Sequence, residues 1–291
     1  MNDSFRADLR LLGVTHFDDL NSQLWVLAAI GRLADQGLLD RAADPDDEVS
    51  VLSQQLLIET GWLLPNPLRP STLLLTALPP GVPLGAASGY VREQFARVGR
   101  FANGAPAGWA ETDHELVRWR GRSSGIMAQA MFGRCCPDVL VRAQDFLDVG
   151  VGAGGIAMQL CRQMPALRAV GLDISPTALD IARADVSAAG LDDRIQIRDQ
   201  SVDTLSEVSA YDLIWLPQPF IPRPVLLAAL PLLFRALRPS GCFVMPLATE
   251  GALPNFMSGG GTLPAEDAVK LLEQAGFLDV EDHDNIITGR R

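Results

Sequence analysis

A run of closely spaced glycines lies in the middle of the chain, Asp148-Val149-Gly150-Val151-Gly152-Ala153-Gly154-Gly155. It follows an apolar segment that predicts a β-strand, and it precedes apolar residues with the period of a helix. Glycine lets the backbone approach a ligand closely, and a helix N-terminus presents free N–H groups to polar or anionic atoms. Gly150 and Gly152 therefore indicate a site for a nucleotide-like cofactor.

Histidine and cysteine supply the other candidates for chemistry. Among the three histidines, His114 is the strongest candidate for a general base, ahead of His16, because histidine titrates near neutral pH; His283 is expected to be remote. The alternative for His114 is a solvated residue at the start of a helix. The four cysteines have no spacing typical of zinc or of a disulfide framework, so no metal site is predicted.

An arginine-rich stretch runs from Tyr90 to Arg142 in a chain that is otherwise acidic. Such a run usually forms a solvated, ion-paired face. The alternative is that Arg122, with Ser123 and Ser124 beside it, contacts an anionic group of a cofactor or substrate.

Strands and helices alternate through the second half of the chain, which predicts a doubly wound, mostly parallel seven-stranded sheet covered by helices. The predicted strands are 144–149, 168–173, 194–198, 211–216 and 242–247, followed by strand-like pieces at 278–283 and 286–289. One helix is expected to begin after Ser175 as its N-cap, with Pro176 at its first position. The carboxyl ends of these strands would then carry the site.

Residues 1–120 lack this alternation and predict a mainly helical N-terminal region joined to a core of residues 121–291. An apolar stripe on the first helix packs either within the chain or against a second subunit of a homodimer: Leu24, Leu27, Ile30, Leu33 and Leu38. Four tryptophans lie in this region: Trp25, Trp62, Trp109 and Trp119. They could form the wall of a lid that encloses a substrate, or they could pack in an ordinary hydrophobic core.

The composition limits the range of partners. The net charge of -11 and the pI near 4.7 argue against binding to nucleic acid, because such a molecule repels a phosphate backbone. No apolar run reaches membrane-spanning length without proline, glycine or charge. The first ten residues contain no signal-peptide core, so a cytoplasmic location is expected.

Three segments together resemble the class I methyltransferases that use S-adenosylmethionine (SAM), over roughly residues 119–291. The matching segments are Phe146-Leu147-Asp148-Val149-Gly150-Val151-Gly152-Ala153-Gly154, Gly171-Leu172-Asp173-Ile174-Ser175 and Tyr211-Asp212-Leu213-Ile214-Trp215-Leu216-Pro217. The resemblance implies that the glycine turn underlies the methionine part of SAM, near Asp148, and that Asp173 binds the ribose hydroxyls. It places Ile174, Leu216 and Pro217 in the cofactor site as well.

The adenine end of the predicted site departs from the family pattern. Family members often place an acidic residue after the third strand, where it accepts from the adenine amino group. Ser201 occupies that position here. Gln200, Ser201 or the backbone of Val202 would then contact the adenine, with Asp199 as a further alternative.

The segment after the fourth predicted strand indicates which kind of molecule would accept the methyl group. Family members that methylate nucleobase or glutamine amides resemble one another in an Asn/Asp-Pro-Pro-aromatic motif at this point, whereas this chain reads Leu216-Pro217-Gln218-Pro219-Phe220. Because the Asn or Asp is missing, the chain looks more similar to small-molecule methyltransferases of specialised metabolism. Gln218 and Phe220 would then face the substrate, unless they serve as a turn amide and a core aromatic.

Two other functions fit the same cofactor motifs. A SAM-binding protein of this fold could catalyse a reaction other than methyl transfer or only sense the cofactor. The glycines at 150, 152 and 155 also fit the G-x-G-x-x-G pattern of NAD(P)-dependent oxidoreductases. Asp148 argues against that second alternative, because a dinucleotide site usually keeps an apolar strand residue there.

Overall fold

The computed structural model describes residues 17–77, 84–104, 114–248 and 259–291. The chain divides into two compact units, Met1–Ala96 and Arg97–Arg291. Among the described residues, no helix is both long and apolar enough to cross a membrane. The described part of the chain also contains no group of three or more His, Cys, Asp or Glu side chains that could hold a metal ion.

The first unit is mainly helical, as predicted. Its elements are α1 (Phe17–Asp35), α2 (Glu48–Glu59), the short antiparallel strands β1 (Leu63–Pro65) and β2 (Leu68–Pro70), α3 (Thr72–Ala77) and α4 (Ala87–Ala102), which crosses the division between the units. Of the predicted apolar stripe, Ile30 and Leu33 of α1 are buried in the core of this unit, as is Leu38 beyond the end of the helix, whereas Leu24 is 50% exposed. Trp62 packs against the same core, whereas Trp25 is 65% exposed.

The second unit contains the predicted alternation of strands and helices. After α5 (His114–Cys135) and α6 (Pro137–Leu140) come β3 (Asp145–Val149), α7 (Gly155–Gln163), β4 (Arg168–Asp173), α8 (Pro176–Ala188) and β5 (Ile195–Asp199). The chain continues with β6 (Tyr211–Trp215), α9 (Arg223–Ala236), β7 (Leu237–Pro246), α10 (Ala265–Gln274), β8 (Leu278–Asp282) and β9 (Ile286–Arg290). Ser175 caps α8 by accepting from the N–H of Ala178, and Pro176 follows it, as predicted.

The seven strands form one sheet in the order β5-β4-β3-β6-β7-β9-β8. Strands β3 to β7 are parallel, while β9 runs antiparallel to β7 and β8 antiparallel to β9. The predicted doubly wound sheet is therefore confirmed. The strand order reverses at β3, and in such sheets the ligand site lies beyond the carboxyl ends of the strands at this reversal.

Two boundaries differ from those predicted from the sequence. Strand β7 begins at Leu237, not at Cys242, and its pairing with β6 is irregular between these two residues, where Ser240 has a φ of 62°. The compact second unit begins at Arg97, earlier than the expected boundary near residue 120, and it includes the whole of α5, which packs against α7.

Apolar residues cover both faces of the sheet. One cluster joins the sheet to α9 and α10 and includes Leu230, Phe243 and Leu272. The other joins it to α5, α6 and α7 and includes Phe132 and Leu160. Burial on both faces is typical of parallel sheets, and it leaves the carboxyl edge of the strands as the place where polar groups can face a ligand.

Helices α5 and α7 meet at glycines. A Cβ atom added to Gly155 would overlap the carbonyl of Gly121, and one added to Gly125 would lie 2.6 Å from the carbonyl oxygen of Gly155. Real Cβ atoms do not approach backbone atoms so closely. The absence of side chains at these positions therefore allows α5 to lie directly on the first turn of α7.

We expect Gly155→Ala to lower the free energy of unfolding by about 1–3 kcal/mol, because the added methyl group forces α5 away from α7. Gly133→Ala, also on α5, is the matched control: nothing lies within 4 Å of the added Cβ, so its effect should be neutral or stabilising. Urea unfolding of both variants measures the difference. Equal effects of the two substitutions would contradict the close contact.

Candidate functional site

A cavity of about 550 Å³ opens beyond the carboxyl ends of β3, β4 and β5. This volume lies within the range of about 300–1,000 Å³ typical of small-molecule and cofactor sites. Of the predicted cofactor residues, the ones that line it are Gly150, Gly152, Asp173, Ile174, Gln200, Ser201 and Val202. The sequence motifs from three separate strand ends thus meet at one site.

The glycine turn forms the part of the cavity next to β3. Gly150, Gly152 and Gly154 have φ angles of 67°, 54° and 77°, in the left-handed region that side chains other than glycine rarely adopt. The N–H of Val151 donates to the carbonyl oxygen of Leu172 at 2.9 Å, which fixes the turn against β4. The backbone at Gly150 and Gly152 therefore faces the cavity without a covering side chain, and the hydrogen bond to β4 fixes its position.

The carboxylate of Asp173, at the end of β4, holds this turn from the other side. Its Oδ2 accepts from the N–H of Gly152 at 2.9 Å. Its Oδ1 accepts from the N–H groups of Ile174 at 2.8 Å and Ser175 at 2.9 Å. Since Asp173 also lines the cavity, one side chain both shapes the glycine turn and presents negative charge to a ligand.

The segment after β5 forms the opposite end of the cavity. Gln200, Ser201 and Val202 all line it, and the backbone N–H of Gln200 donates to the carbonyl oxygen of Asp173 at 3.1 Å. Asp199, the last residue of β5, is exposed and is not among the lining residues. The position of Asp199 therefore does not support it as the residue that contacts adenine.

Leu216 and Pro217, predicted in the cofactor site, lie behind its wall. Leu216 is fully buried, and its N–H donates to the carbonyl oxygen of Val244 at 3.0 Å. Pro217 contacts the glycine turn, since a Cβ built on Gly150 would lie 3.7 Å from the Pro217 ring. Neither is among the residues that line the cavity.

Asp148 is buried beneath the glycine turn and does not line the cavity. Its Oδ2 accepts from the N–H of Ala157 on α7 at 3.2 Å, whereas Oδ1 is buried with no hydrogen-bond partner among the described residues. Burial is the main cause that raises the pKa of Asp148 to about 8, and the nearby charge of Asp173 raises it further. A carboxyl group in this position is ready to pair with a cation or a donor.

The two predicted substrate contacts, Gln218 and Phe220, both lie in the turn after β6, but only one of them faces the cavity. Gln218 is 1% exposed, and its Nε2 donates to the carbonyl oxygens of Gly260 at 3.3 Å and Gly261 at 3.4 Å. Its amide therefore holds two segments of backbone together, and its position does not support a substrate contact. Phe220, in contrast, is 38% exposed and lines the cavity.

Helix α5 contributes a wall of the cavity, of which the sequence predicts Ser124 but not Val117, Arg120 or Gly121 as contacts. Val117, Arg120, Gly121 and Ser124 line the cavity. Their spacing of three, four and seven residues puts them on one face of a helix, which is the signal that could have found them. Arg122 points away from that face and is exposed, so the arginine at the cavity is Arg120.

The candidate bases are not at the cavity in the described residues. His114 is the exposed first residue of α5 and is not among the lining residues, so its role as a base stays a prediction. His283 lies on the far hairpin, where its Nε2 is 3.2 Å from the hydroxyl of Thr288. His16 and Trp109 fall outside the described residues, and the side chain of Trp119 is also outside them.

Asp148→Asn tests the buried carboxyl. Because the pKa of Asp148 in the folded protein exceeds the ordinary value of about 3.9, the stability that its proton provides is complete below about pH 4. That stability is lost as the pH rises toward 8. The Asp148→Asn variant has no such proton to lose. Between about pH 4 and pH 8, its free energy of unfolding should therefore rise by more than about 1 kcal/mol relative to that of the wild type.

Urea unfolding of the ligand-free protein at a series of pH values checks this expectation. Asp180→Asn is the control, because the Asp180 side chain is 80% exposed on α8. It should follow the pH profile of the wild type. A difference between wild type and Asp148→Asn that is constant with pH would contradict the buried, protonated carboxyl.

Comparison with known proteins connects this site to a family. The profile of a family described as a methyltransferase domain matches residues 146–241, which extend from β3 into β7. The tRNA1(Val) (adenine(37)-N6)-methyltransferase of Porphyromonas gingivalis is 38% identical over 82 residues, covering 26% of this chain and 32% of that protein. The release factor glutamine methyltransferase of Chlorobaculum tepidum is 32% identical over 151 residues, covering 46% of this chain and 51% of that protein.

Solved structures share the fold over nearly the whole chain. An O-methyltransferase family protein from Burkholderia thailandensis superimposes with a TM-score of 0.62 at 16% identity, covering 98% of this chain and 97% of that one. The mitomycin 7-O-methyltransferase gives a TM-score of 0.57 at 18% identity, with complete coverage of both chains. The curated relatives, in contrast, are matched over about a third to a half of their length.

The segment matched by the family profile, residues 146–241, contains the glycine turn, Asp173 and the parallel strands β3 to β6 almost completely. The predicted resemblance is thereby confirmed at the level of the domain. Residues 146–241 match the profile of a methyltransferase domain, within a fold that the chain shares with solved methyltransferase structures.

Proposed function

We propose that this chain is an enzyme that transfers the methyl group of SAM to a nucleophilic atom of a small organic molecule. The observation that carries the proposal is the cavity itself: the bare glycine turn, the carboxylate of Asp173 and the Gln200–Val202 segment surround one space in a domain of the methyltransferase family. The comparisons support the domain and the fold, while the acceptor is inferred from the site.

The residues at the cavity fit SAM. Gly150 and Gly152 leave room for a ligand against the backbone, and the buried Oδ1 of Asp148 lies beneath that turn with capacity for a donor. Among the described lining residues, the charged ones are Arg120 and Asp173. A cofactor with an ammonium group, a carboxylate and ribose hydroxyls presents a suitable partner to each of these groups.

Asp173 would bind the ribose. An ionised carboxylate has about four acceptor positions, and three of them are already used by the N–H groups of Gly152, Ile174 and Ser175. We therefore expect one ribose hydroxyl to take the remaining position on Oδ2. The family resemblance implies that both ribose hydroxyls bind this carboxylate. In that case one hydroxyl and one backbone N–H group would have to share a single acceptor position.

Arg120 would hold the carboxylate at the methionine end. It lies on the face of α5 that rests on the first turn of α7, so its charge adds to the N–H groups of that helix end. A protonated Asp148 would lose its proton to pair with the cofactor ammonium, because a nearby positive charge lowers the pKa of a carboxyl group.

Bound SAM supplies a methyl group already activated on a sulfonium. The protein then has to orient the acceptor in line with that methyl group and to exclude water. Phe220, Ile221 and Val225 give the described cavity an apolar wall suited to both tasks. We retain His114 as the proposed base for an acceptor that must lose a proton.

A small acceptor is favoured over RNA or protein by the turn after β6. The curated relatives are named for an adenine of tRNA and a glutamine of a release factor, both amide-like nitrogen acceptors. This chain has Pro217 and Gln218 where such enzymes need an Asn or Asp oxygen, and the Gln218 amide is bound to backbone carbonyls. The net charge of -11 also opposes an RNA substrate.

The mitomycin 7-O-methyltransferase shares this fold, and an acceptor from specialised metabolism agrees with that likeness. We also propose that the first unit contributes to acceptor binding or to a homodimer, and that the enzyme acts in the cytoplasm. A reaction other than methyl transfer in the same pocket is the second candidate function, because it would use the same cofactor residues.

Asp173→Ala should weaken binding of S-adenosylhomocysteine by about 1.5–3 kcal/mol, since it removes a charged acceptor from the ribose. Isothermal titration calorimetry measures the change, and Asp180→Ala serves as the control acid outside the cavity. An unchanged affinity in a folded Asp173→Ala variant would refute the ribose contact. Tight binding of NADH without binding of S-adenosylhomocysteine would overturn the proposed cofactor.

Methyl transfer from labelled SAM should be faster to small organic nucleophiles than to tRNA or to a release factor. The expectation follows from the apolar wall of the cavity and from the absence of an Asn or Asp at Pro217 and Gln218. Mass spectrometry of a panel of phenols, thiols and amines identifies the product and the atom that carries the new methyl group. Preferential labelling of RNA or of intact protein would contradict the small-molecule acceptor.

A further inference from the structure

We propose that Cys136 and Cys242 form a modification site, at which hydrogen peroxide converts the two thiols into a reversible disulfide bond. All four cysteines of the chain are free thiols in the structure, and no step of the proposed methyl transfer uses them. Neither residue lines the cavity. The inference therefore holds or fails independently of the proposed function.

The fold brings these two cysteines together from distant parts of the chain. Cys136 lies between α5 and α6, and α6 packs on β7, the strand that contains Cys242. Both side chains are fully buried in one apolar cluster on this face of the sheet. The N–H of Cys136 donates to the carbonyl oxygen of Phe132 at 2.9 Å, and the carbonyl oxygen of Cys136 accepts from the N–H of Leu140 at 3.0 Å. The backbone thus holds Cys136 in a fixed position beside the strand.

The two thiol groups are hydrogen bonded to each other. Cys136 acts as the donor, which raises its own pKa and lowers the pKa of Cys242. A disulfide bond requires side chains whose sulfur atoms can meet without movement of the backbone. Because these sulfur atoms are already neighbours, the bond can form with small changes of side-chain torsion.

A cation beside the two thiols favours the thiolate form of Cys242. Arg290 on β9 is the cross-strand partner of Cys242 on β7, and side chains at partner positions lie side by side on one face of the sheet. After the hydrogen bond from Cys136, the charge of Arg290 is a further cause that lowers the pKa of Cys242. Since the thiolate is the nucleophilic form of cysteine, Cys242 is the sulfur that attacks the oxidant.

The same arginine marks the route by which a small oxidant reaches the buried thiols. Arg290 forms an ion pair with Asp138 at 3.0 Å, and their side chains are 25% and 59% exposed. The guanidinium therefore lies between the thiols and the solvent. Ion pairs at the protein surface contribute little to stability, so this one separates readily and admits a molecule as small as hydrogen peroxide.

The reaction proceeds in two balanced steps. The Cys242 thiolate attacks one oxygen of hydrogen peroxide, the O–O bond breaks, and the hydroxide that leaves takes up the proton lost by the thiol to become water. Cys242 is now a sulfenic acid. The sulfur of Cys136 then attacks the sulfur of Cys242, and the thiol proton and the sulfenic hydroxyl leave as a second water. Two thiols are thus oxidised while one peroxide is reduced to two waters, and a dithiol reverses the change by exchange.

The bond would anchor the end of α5 to the sheet. Cys136 directly follows the last residue of α5, whereas Arg120, at the cavity, lies roughly 22 Å back along the same helix. The affinity for S-adenosylhomocysteine should therefore change less than about twofold on oxidation. The midpoint of urea unfolding should rise, because the bond closes a long loop of the chain from β7 back to α6.

Treatment of the reduced, folded chain with hydrogen peroxide tests the proposal. The protein is then unfolded, and N-ethylmaleimide labels the remaining thiols for mass spectrometry. The reduced chain should take up four labels, one for each cysteine, and the oxidised chain about two. Dithiothreitol should restore all four labels. Four labels after peroxide treatment, or a loss that dithiothreitol does not reverse, would overturn the proposal.

Cys136→Ser and Cys135→Ser are the matched variants, because they make the same change at neighbouring buried positions. Cys136→Ser should lose no label to peroxide, whereas Cys135→Ser should still lose two reversibly. The opposite result would assign the bond to Cys135 and show the proposal to be wrong. Should Cys136→Ser fail to fold, fragmentation of the cross-linked peptides from the wild type decides between Cys135 and Cys136.

Asp138→Asn tests the route of access. It breaks the ion pair over the thiols and removes a negative charge that raises the pKa of Cys242, so the disulfide should form at least about threefold faster. Asp180→Asn, at an exposed position on α8, should keep the rate of the wild type. An unchanged or slower rate in Asp138→Asn would contradict entry of the oxidant at this ion pair.

Discussion

The carboxylate of Asp173 joins the end of β4 to the glycine turn that follows β3. Its three backbone hydrogen bonds, to Gly152, Ile174 and Ser175, lie at the point where the sheet reverses its strand order. Without this carboxylate, the N–H of Gly152 would have to find another acceptor, and the left-handed turn would lose one of its attachments to the next strand, beside the hydrogen bond from Val151 to Leu172. The candidate site and the local fold thus depend on the same side chain.

The contact between α5 and the first turn of α7 has a comparable effect on the other wall. Because Gly121 and Gly125 have no side chains, α5 lies against Gly155 and brings Arg120 and Ser124 to the cavity. A bulkier residue at any of these glycines would move a positive charge and a hydroxyl away from the ligand. Packing between two helices therefore determines the electrostatic character of this wall of the cavity.

Much of the fold could be predicted from local signals. The apolar strands, the Ser175-Pro176 helix start and the glycine turn depend on neighbours in sequence, and the structure contains each of them at or near the predicted residues. The same holds for the placement of Asp173 and Ser201, because strand ends meet at one edge of a parallel sheet.

The rest depends on contacts between distant residues. The contact of the α5 glycines with α7 determines which arginine of α5 reaches the cavity. The sequence does not show this contact, and it therefore predicted Arg122 where the structure has Arg120. Gln218 is turned inward by the carbonyls of Gly260 and Gly261, more than forty residues later in the chain. The raised pKa of Asp148 likewise results from burial, which only the assembled sheet produces.

The outermost strand, β8, ends the sheet with a surface that repels further strands. Its residues Asp279, Glu281 and Asp282 carry negative charge, and Asp279 has a φ of 46° where the register against β9 becomes irregular. A bent, acidic edge offers neither the straight row of backbone groups nor the neutral surface that another strand needs for pairing. Pairing of a further strand along β8, including the β8 of a second copy, is thereby disfavoured.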